Sequence, residues 1–155
     1  MSPLPTLSLS PLLTIEVQLG KPEEMGATPG GHRRIVPIVG GRFFGERLNG
    51  VVRNFGADWQ TIRPDGLAEI DTRYMLETDD GAILDIRNIG VRHGPPDIMA
   101  RVGRGEAVDP ALYYMRTHSR LETGDPRYQW LNRLICLGTG ARSATTVTMV
   151  ISAVE

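Results

Sequence analysis

The chain has 155 residues, with 17 basic and 18 acidic side chains and a formal net charge of −1 at pH 7. This length is enough for one domain with its own core, and the balanced charge excludes the broad basic field of nucleic-acid-binding proteins. Cys136 is the single cysteine, which excludes an internal disulfide and is typical of a protein in a reducing compartment. It lies in an apolar run, which predicts that its side chain is buried. We find neither a signal peptide nor a membrane-spanning apolar run, so the chain is predicted to be cytoplasmic.

Alternating apolar and polar residues, separated by turn residues, predict an all-β chain after an irregular lead-in at residues 1–10. The predicted strands are Leu12–Leu19, Arg33–Val39, Arg42–Glu46, Leu48–Arg53, Trp59–Arg63, Leu67–Glu77, Ala82–Val91, Ala111–Thr117, Trp130–Leu137 and Ala144–Val154. Predicted loops and turns are Lys21–Gly31, Gly40-Gly41, 93–110, 119–128 and Gly138–Ser143. Nine or ten short strands and little helix favour one antiparallel β-barrel over residues 11–155, with the 93–110 loop as a candidate lid or binding loop.

The hairpin at Asp79-Asp80-Gly81 indicates which side chains share a face. With Gly81 in the left-handed position of a three-residue loop, the predicted pairs are Leu76–Leu84, Tyr74–Ile86 and Thr72–Asn88. The opposite face is charged, with diagonal pairs Arg73–Asp85 and Arg87–Asp71. The charged face is either the solvated exterior or a polar lumen. If it is the exterior, the apolar face lines an interior suited to a small organic ligand.

Short motifs that occur in order along the chain resemble an uncharacterised family. They include Arg34-Ile35-Val36-Pro37, Gly40-Gly41-Arg42-Phe43, Gly56-Ala57-Asp58-Trp59-Gln60, Asp71-Thr72-Arg73-Tyr74, Tyr113-Tyr114-Met115-Arg116-Thr117 and Trp130-Leu131-Asn132-Arg133. As an ordered set, they resemble domain of unknown function 3237, also called UPF0311, from about Leu13 to Val154. The resemblance implies a lipocalin-like β-barrel that self-associates into a homo-oligomer, and it implies no common activity.

Asp58 is the first candidate catalytic residue. A carboxylate beside the indole of Trp59, after a glycine turn, is expected to be partly desolvated, which raises its pKa and suits a general base. The alternative is that Asp58 caps a turn while Trp59 fills the core. Gln60, two positions further along, is a candidate ligand-binding residue.

Arg116 is the second candidate, because strand alternation puts Tyr114 and His118 on its side of the strand. A guanidinium between a phenol and an imidazole is suited to bind a carboxylate or to stabilise an enolate. The alternative is a surface ion pair with Glu122 or Asp125.

Tyr74 and Asn88 form a third group, on the apolar face of the hairpin. A phenol and an amide can polarise a carbonyl without carrying charge. The alternative is that Tyr74 packs in the core with its hydroxyl at the rim.

Several other site classes are not supported by the sequence. The histidines His32, His93 and His118 lie in separate segments, so we predict no metal site. Gly138-Thr139-Gly140 lacks the third glycine and the helix of a dinucleotide fingerprint, and we predict no cofactor.

These residues lead to three functional hypotheses. The first is a cofactor-independent enzyme that moves a proton on an apolar, carbonyl-bearing metabolite, as in isomerisation, cyclisation or lyase/hydratase chemistry. In it Asp58 is the base, Arg116, Tyr114 and Tyr74 hold the oxyanion, and Trp59 and Trp130 form the pocket walls. The second is a non-catalytic carrier of small hydrophobic ligands. The third is an oligomeric structural or interaction module whose barrel is filled by side chains.

Overall fold

A computed structural model describes all 155 residues and shows nine antiparallel strands. They are β1 (Leu9–Leu19), β2 (Glu23–Thr28), β3 (Gly31–Phe44), β4 (Asn49–Ile62), β5 (Ala68–Thr78), β6 (Ile83–His93), β7 (Tyr114–Glu122), β8 (Cys136–Arg142) and β9 (Thr146–Val154). Their order is β1-β9-β8-β7-β6-β5-β4-β3-β2, and β1 also pairs with β3. Eight strands therefore close an antiparallel β-barrel, and β2 is an extra strand on β3. This confirms the predicted all-β barrel.

The helical segments are short. Helix α1 spans Pro96–Gly103, and 3₁₀ helices span Pro110–Leu112 and Pro126–Arg133. None is long and apolar enough to cross a membrane. The loop predicted at residues 93–110 thus contains α1. The strand predicted at Trp130–Leu137 is wrong up to Ile135, because Asp125 accepts a hydrogen bond from the Arg127 N–H and starts a 3₁₀ helix instead; only Cys136 and Leu137 belong to a strand, β8.

One glycine pair from which we predict a turn lies inside a long strand instead. Gly40 and Gly41 lie within β3, where they pair with Gln18 and Val17 of β1. Gly41 has φ +133°, and a Cβ there would overlap the carbonyl of Glu16, so the glycine lets two strands approach as the barrel closes. The predicted turn at Gly40-Gly41 is therefore wrong.

Other boundary errors have the same cause. β4 is one strand rather than two, the predicted loop Lys21–Gly31 contains β2, and most of the predicted hairpin loop Gly138–Ser143 belongs to β8. In each case glycine gives the strand room to bend without ending it.

The β5–β6 hairpin has the predicted register. Leu76 pairs with Leu84, and the pairs Tyr74–Ile86 and Thr72–Asn88 follow. The charged face is the exterior, where Arg73 binds Asp85 at 2.8 Å and Arg87 lies 3.4 Å from Asp71. The apolar face consequently lines the barrel interior.

The interior divides into two halves along the barrel axis. The closed half, next to the β5–β6 turn, is filled by side chains that are at most 2% exposed: Phe43, Leu48, Leu76, Leu84, Leu121 and Leu131. Leu131 comes from the 3₁₀ helix Pro126–Arg133, which covers this end. The cavity half lies at the other end, where polar side chains replace the leucines on the same strands: Asp58, Gln60, Thr72, Asn88, Arg92 and Thr117.

Candidate functional site

The cavity half contains a pocket at the end of the barrel where β5, β7 and β9 begin and β4, β6 and β8 end. Its volume is about 40 Å³, measured as the space open to the centre of a water molecule, which is enough for about three waters. Sixteen residues line it, nine of them hydrophobic. Arg142, Val147 and Leu19 are only half-buried, and they form the rim. The pocket is therefore an amphipathic cavity with a mouth.

Strand alternation and register assemble the pocket wall. Val36, Asp58, Thr72 and Asn88 form one continuous row, because each is the pairing partner of the next across β3, β4, β5 and β6. Just before this row, a Cβ at Gly56 would overlap the Arg73 carbonyl and Tyr74, so the glycine allows β4 to approach β5 closely.

Asp58 is held rigidly in this wall. Its Oδ1 accepts a hydrogen bond from the backbone N–H of Asp71, and its Oδ2 accepts one from Gln60 Nε2, both at 3.1 Å. None of the ion pairs in the structure includes Asp58. Burial raises the pKa of the Asp58 carboxyl above its ordinary value, and the hydrogen bonds and the charge of Arg92 offset only part of that effect. Asp58 is thus a fixed carboxyl with an increased affinity for a proton.

Arg92 is a buried guanidinium without a protein partner. Its side chain faces the pocket and is 6% exposed, its Nε has no hydrogen bond, and no carboxylate lies within 4 Å. Burial lowers the pKa of Arg92 to about 10, the like charge of Arg142 acts in the same direction, and the more distant charge of Asp58 opposes them only in part. Burial and the charge of Arg34 likewise lower the pKa of Arg142. Three arginines therefore lie near one another at this end of the barrel.

The remaining polar groups are neutral. Asn88 Nδ2 donates to the Tyr74 hydroxyl at 3.4 Å, and burial raises the pKa of Tyr74, which keeps it a protonated phenol. Gln60 Oε1, Asn88 Oδ1 and Thr117 Oγ1 are buried in the wall without a hydrogen-bond partner. Buried polar groups are normally paired, so several unpaired ones around one cavity indicate a place for a ligand or water.

Four of the predicted site residues meet in this cavity: Asp58, Gln60, Tyr74 and Asn88. The desolvation of Asp58 has a different cause from the predicted one. Trp59 is 49% exposed and lies on the outer face, because adjacent strand residues point to opposite faces. The prediction that Trp59 forms a wall of the pocket is therefore wrong.

The β7 candidates also lie outside the pocket. Tyr114, Arg116 and His118 are exposed on the outer face, whereas Met115 and Thr117 point inward. On the outside, Tyr114 stacks on His93, with ring centroids 4.9 Å apart, and the Arg116 guanidinium lies 4.9 Å from the Tyr114 ring. This placement contradicts the prediction that Tyr114 and Arg116 hold an oxyanion in the pocket.

Trp130 is far from the cavity as well. It belongs to the 3₁₀ helix at the closed half, where the Arg47 guanidinium lies 3.7 Å from its ring centroid. Trp130 packs on the core of the closed half and not on the pocket.

Sequence reasoning missed two cavity residues that carry charge, Arg92 and Arg142. Strand alternation could have identified Arg92, because alternate residues of β6 face inward and Arg92 continues the series of Leu84, Ile86 and Asn88. Arg142 is the last residue of β8. It pairs with Val147 of β9, and both side chains face the pocket.

Comparison with known proteins identifies relatives over nearly the whole chain. The model for the family "Protein of unknown function (DUF3237)" matches residues 7–154. A UPF0311 protein of Rhodopseudomonas palustris is 45% identical over 143 residues, which cover 92% of this chain and 94% of that protein.

Solved structures agree with the barrel. A protein of unknown function from Rhodopseudomonas palustris superposes with a TM-score of 0.92 at 42% identity, covering 98% of this chain and 99% of that one. A protein from Acinetobacter baumannii described as beta-barrel like has a TM-score of 0.88 at 39% identity, with both chains fully covered. A protein from Penicillium herquei described as an enzyme has a TM-score of 0.70 at 19% identity, covering 97% and 99%, and shares the fold alone.

Proposed function

The chain belongs to the DUF3237 family of proteins of unknown function, and we propose that it is a small-molecule enzyme that moves a proton by acid–base chemistry in the cavity half of its barrel. The observation that carries the proposal is the state of Asp58. Its carboxyl group is largely buried, accepts hydrogen bonds from the Asp71 N–H and Gln60, and has no ion pair within 4 Å, and the more distant charge of Arg92 does not cancel the effect of burial on its pKa. A carboxylate with a raised pKa is a stronger base at neutral pH than an exposed one.

The geometry of Asp58 leaves room for a substrate proton. The Asp71 N–H and the Gln60 amide each donate to a different carboxylate oxygen, and the Thr72 side chain is a third donor to the same carboxylate. The two oxygens together have four lone pairs, so at least one remains available to a ligand in the cavity.

Tyr74 and Asn88 supply the complementary group. Asn88 donates to the Tyr74 hydroxyl, and the hydroxyl proton itself has no acceptor in the protein. A neutral phenol can donate this proton to a carbonyl oxygen, and the hydrogen bond strengthens as negative charge develops on that oxygen.

The proposed step starts with a carbonyl compound in the cavity. The C–H bond next to the carbonyl breaks, the proton moves to Asp58, and the electron pair delocalises onto the carbonyl oxygen, where Tyr74 stabilises it. Isomerisation, cyclisation and lyase or hydratase reactions share this step. They differ in where the proton or the leaving group goes next.

The test is deuterium uptake from D₂O at the carbon next to the carbonyl, measured by NMR for a panel of small keto acids and aryl ketones. We expect the wild type to exchange at least one of them, and Asp58→Asn to slow exchange by about 100-fold or more. The matched control is Asp85→Asn, which removes a carboxylate from the outer face of the same sheet and should exchange as the wild type does.

Two results would overturn the proposal. If Asp58→Asn exchanges as fast as the wild type, Asp58 is not the base. If the wild type binds a panel compound and leaves its protons untouched, the cavity belongs to a carrier, a function that its largely hydrophobic lining also favours.

A further inference from the structure

We infer that the substrate is a small organic monocarboxylate whose charged group binds to Arg92 and Arg142 at the inner end of the mouth. This inference rests on the proposed function for the statement that the bound compound is a substrate. Its test measures binding alone and needs no turnover.

The charge of the cavity wall is unbalanced. The lining residues include two arginines, Arg92 and Arg142, against one carboxylate, Asp58. Neither arginine takes part in an ion pair, although the outer surface of the protein has many. A buried charge is costly unless it is paired, so a net positive, unpaired wall favours an anion from outside the protein.

These groups also have unused hydrogen-bonding capacity. Arg92 is more than nine-tenths buried, and its Nε has no partner. Arg34 Nε is also buried without a hydrogen bond, and its nearest carboxylate, Glu24, lies 3.6 Å away. The planar fork of a guanidinium matches the two oxygens of a carboxylate, which makes this ligand class the natural partner.

Three strands converge at this position. Arg34 lies on β3 beside Gln60, Arg92 lies near the end of β6, and Arg142 ends β8. They are close enough that Arg34 and Arg142 disfavour the charge on Arg92. Asp58 offsets only part of this repulsion, so an anion held between the arginines is favoured at this position.

The other lining residues limit the ligand further. Asp58 lies in the same cavity and repels a second negative charge, so a monoanion is favoured over a dicarboxylate. Val17, Leu19, Val147 and Met149 provide an apolar surface for the uncharged body of the ligand. The inner pocket holds only a group of a few atoms such as a carboxylate, because the space open to the centre of a water molecule is about 40 Å³, so the body of a larger ligand extends into the mouth beside Leu19 and Val147.

The experiment compares sodium benzoate with benzamide, its uncharged isostere, by calorimetric titration in a low-chloride buffer. We expect the wild type to bind benzoate about tenfold or more tightly than benzamide, and Arg92→Gln to remove that preference. The matched control Arg116→Gln removes an arginine from the outer face and should leave the benzoate affinity unchanged. Asp58→Asn should bind benzoate at least as tightly as the wild type, because it removes a like charge.

The inference is overturned if benzoate and benzamide bind equally, if benzoate does not bind, or if Arg92→Gln binds benzoate as the wild type does. Should Arg92→Gln fail to fold, Arg142→Gln takes its place, with the same expected loss. Failure here is distinguishable from failure of the proposed function. If the wild type shows no preference for benzoate, the carboxylate site is overturned, but slow deuterium exchange by Asp58→Asn still supports Asp58 as the base. If Asp58→Asn exchanges normally, Asp58 is not the base, but a preference for benzoate still supports the carboxylate site.

Discussion

The closed half and the cavity half are built from the same strands, yet they have opposite chemistry. Along β5 the inward residue changes from Leu76 to Thr72, and along β6 it changes from Leu84 to Asn88 and then Arg92. The closed half consists of fully buried aliphatic side chains, whereas the cavity half holds buried polar atoms without partners. Stability and function are thus separated along the barrel axis.

The two halves also differ in their contribution to the free energy of folding. A fully buried leucine contributes about 1.5–3 kcal/mol, whereas a buried polar group without a partner costs about 1–3 kcal/mol. The closed half therefore supplies stability that offsets the cost of keeping Arg92, Asp58 and their neighbours ready for a ligand. Residues that serve function commonly lower the free energy of unfolding of the protein that carries them.

The largest expected effect comes from the closed half. Leu84→Ala should lower the free energy of unfolding by about 3 kcal/mol, because Leu84 is fully buried and the deletion leaves a cavity. Urea unfolding measures the loss. Leu19→Ala, at the half-buried rim of the cavity half, is the control and should lose much less. Equal losses would contradict the division into a stabilising half and a functional half.

The cavity half should respond in the opposite direction. Arg92→Met should raise the free energy of unfolding by about 1 kcal/mol, since it replaces an unpaired buried charge with an apolar side chain of similar length. The same variant should no longer distinguish benzoate from benzamide. A clear destabilisation in the urea experiment would mean that Arg92 has a stabilising role in the fold.

Asp58→Asn should stabilise the protein in a pH-dependent manner. The folded-state pKa of Asp58 lies above the unfolded value, so the folded wild type retains a proton that the unfolded chain releases. Wild-type stability attributable to Asp58 therefore falls as pH rises from the usual aspartate range through the raised pKa. The variant should gain about 2–4 °C in melting temperature at pH 7 and less at low pH. A gain that shrinks as pH rises would contradict this sign.

The smallest effect is expected outside the barrel. Trp59→Ala should change the free energy of unfolding by no more than about 1 kcal/mol, because Trp59 is half-exposed on the outer face. Its benzoate affinity should equal that of the wild type. An affinity loss comparable to that of Arg92→Gln would place the binding site outside the cavity half.

The parts of the structure that the sequence predicted correctly rest on two signals that agree. In the β5–β6 hairpin, the three-residue turn at Gly81 and the alternation of both strands require the same register. This agreement predicts that Tyr74 and Asn88 share the apolar face of the hairpin, and the structure places that face inside the barrel. Cys136 was similarly placed by its apolar neighbours, and it is fully buried.

The errors arose where alternation alone was available. Alternation on β7 separates Tyr114, Arg116 and His118 from Met115 and Thr117, but it does not say which set faces inward. Closure of β1 on β3 decides that, and it depends on contacts distant in sequence. The prediction for Trp59 fails for a local reason, because Asp58 and Trp59 are adjacent on one strand and cannot share a face.

The sequence also does not predict arginine in the barrel interior. Both Arg92 and the half-buried Arg142 continue the inward-facing series of their strands, but a guanidinium as deeply buried as that of Arg92 rarely lacks a partner. A general rule therefore favoured an exterior position, and a functional site is where such rules are expected to fail.

The most direct test of this account is a titration of the Asp58 carboxyl carbon by ¹³C NMR, with and without benzoate. The account predicts a midpoint above the usual aspartate range in the free protein, and a further rise when benzoate places a negative charge in the same cavity. A midpoint at or below the ordinary aspartate value would show that the hydrogen bonds and the charge of Arg92 outweigh burial. Asp58 would then be a structural residue, and the cavity would have no base.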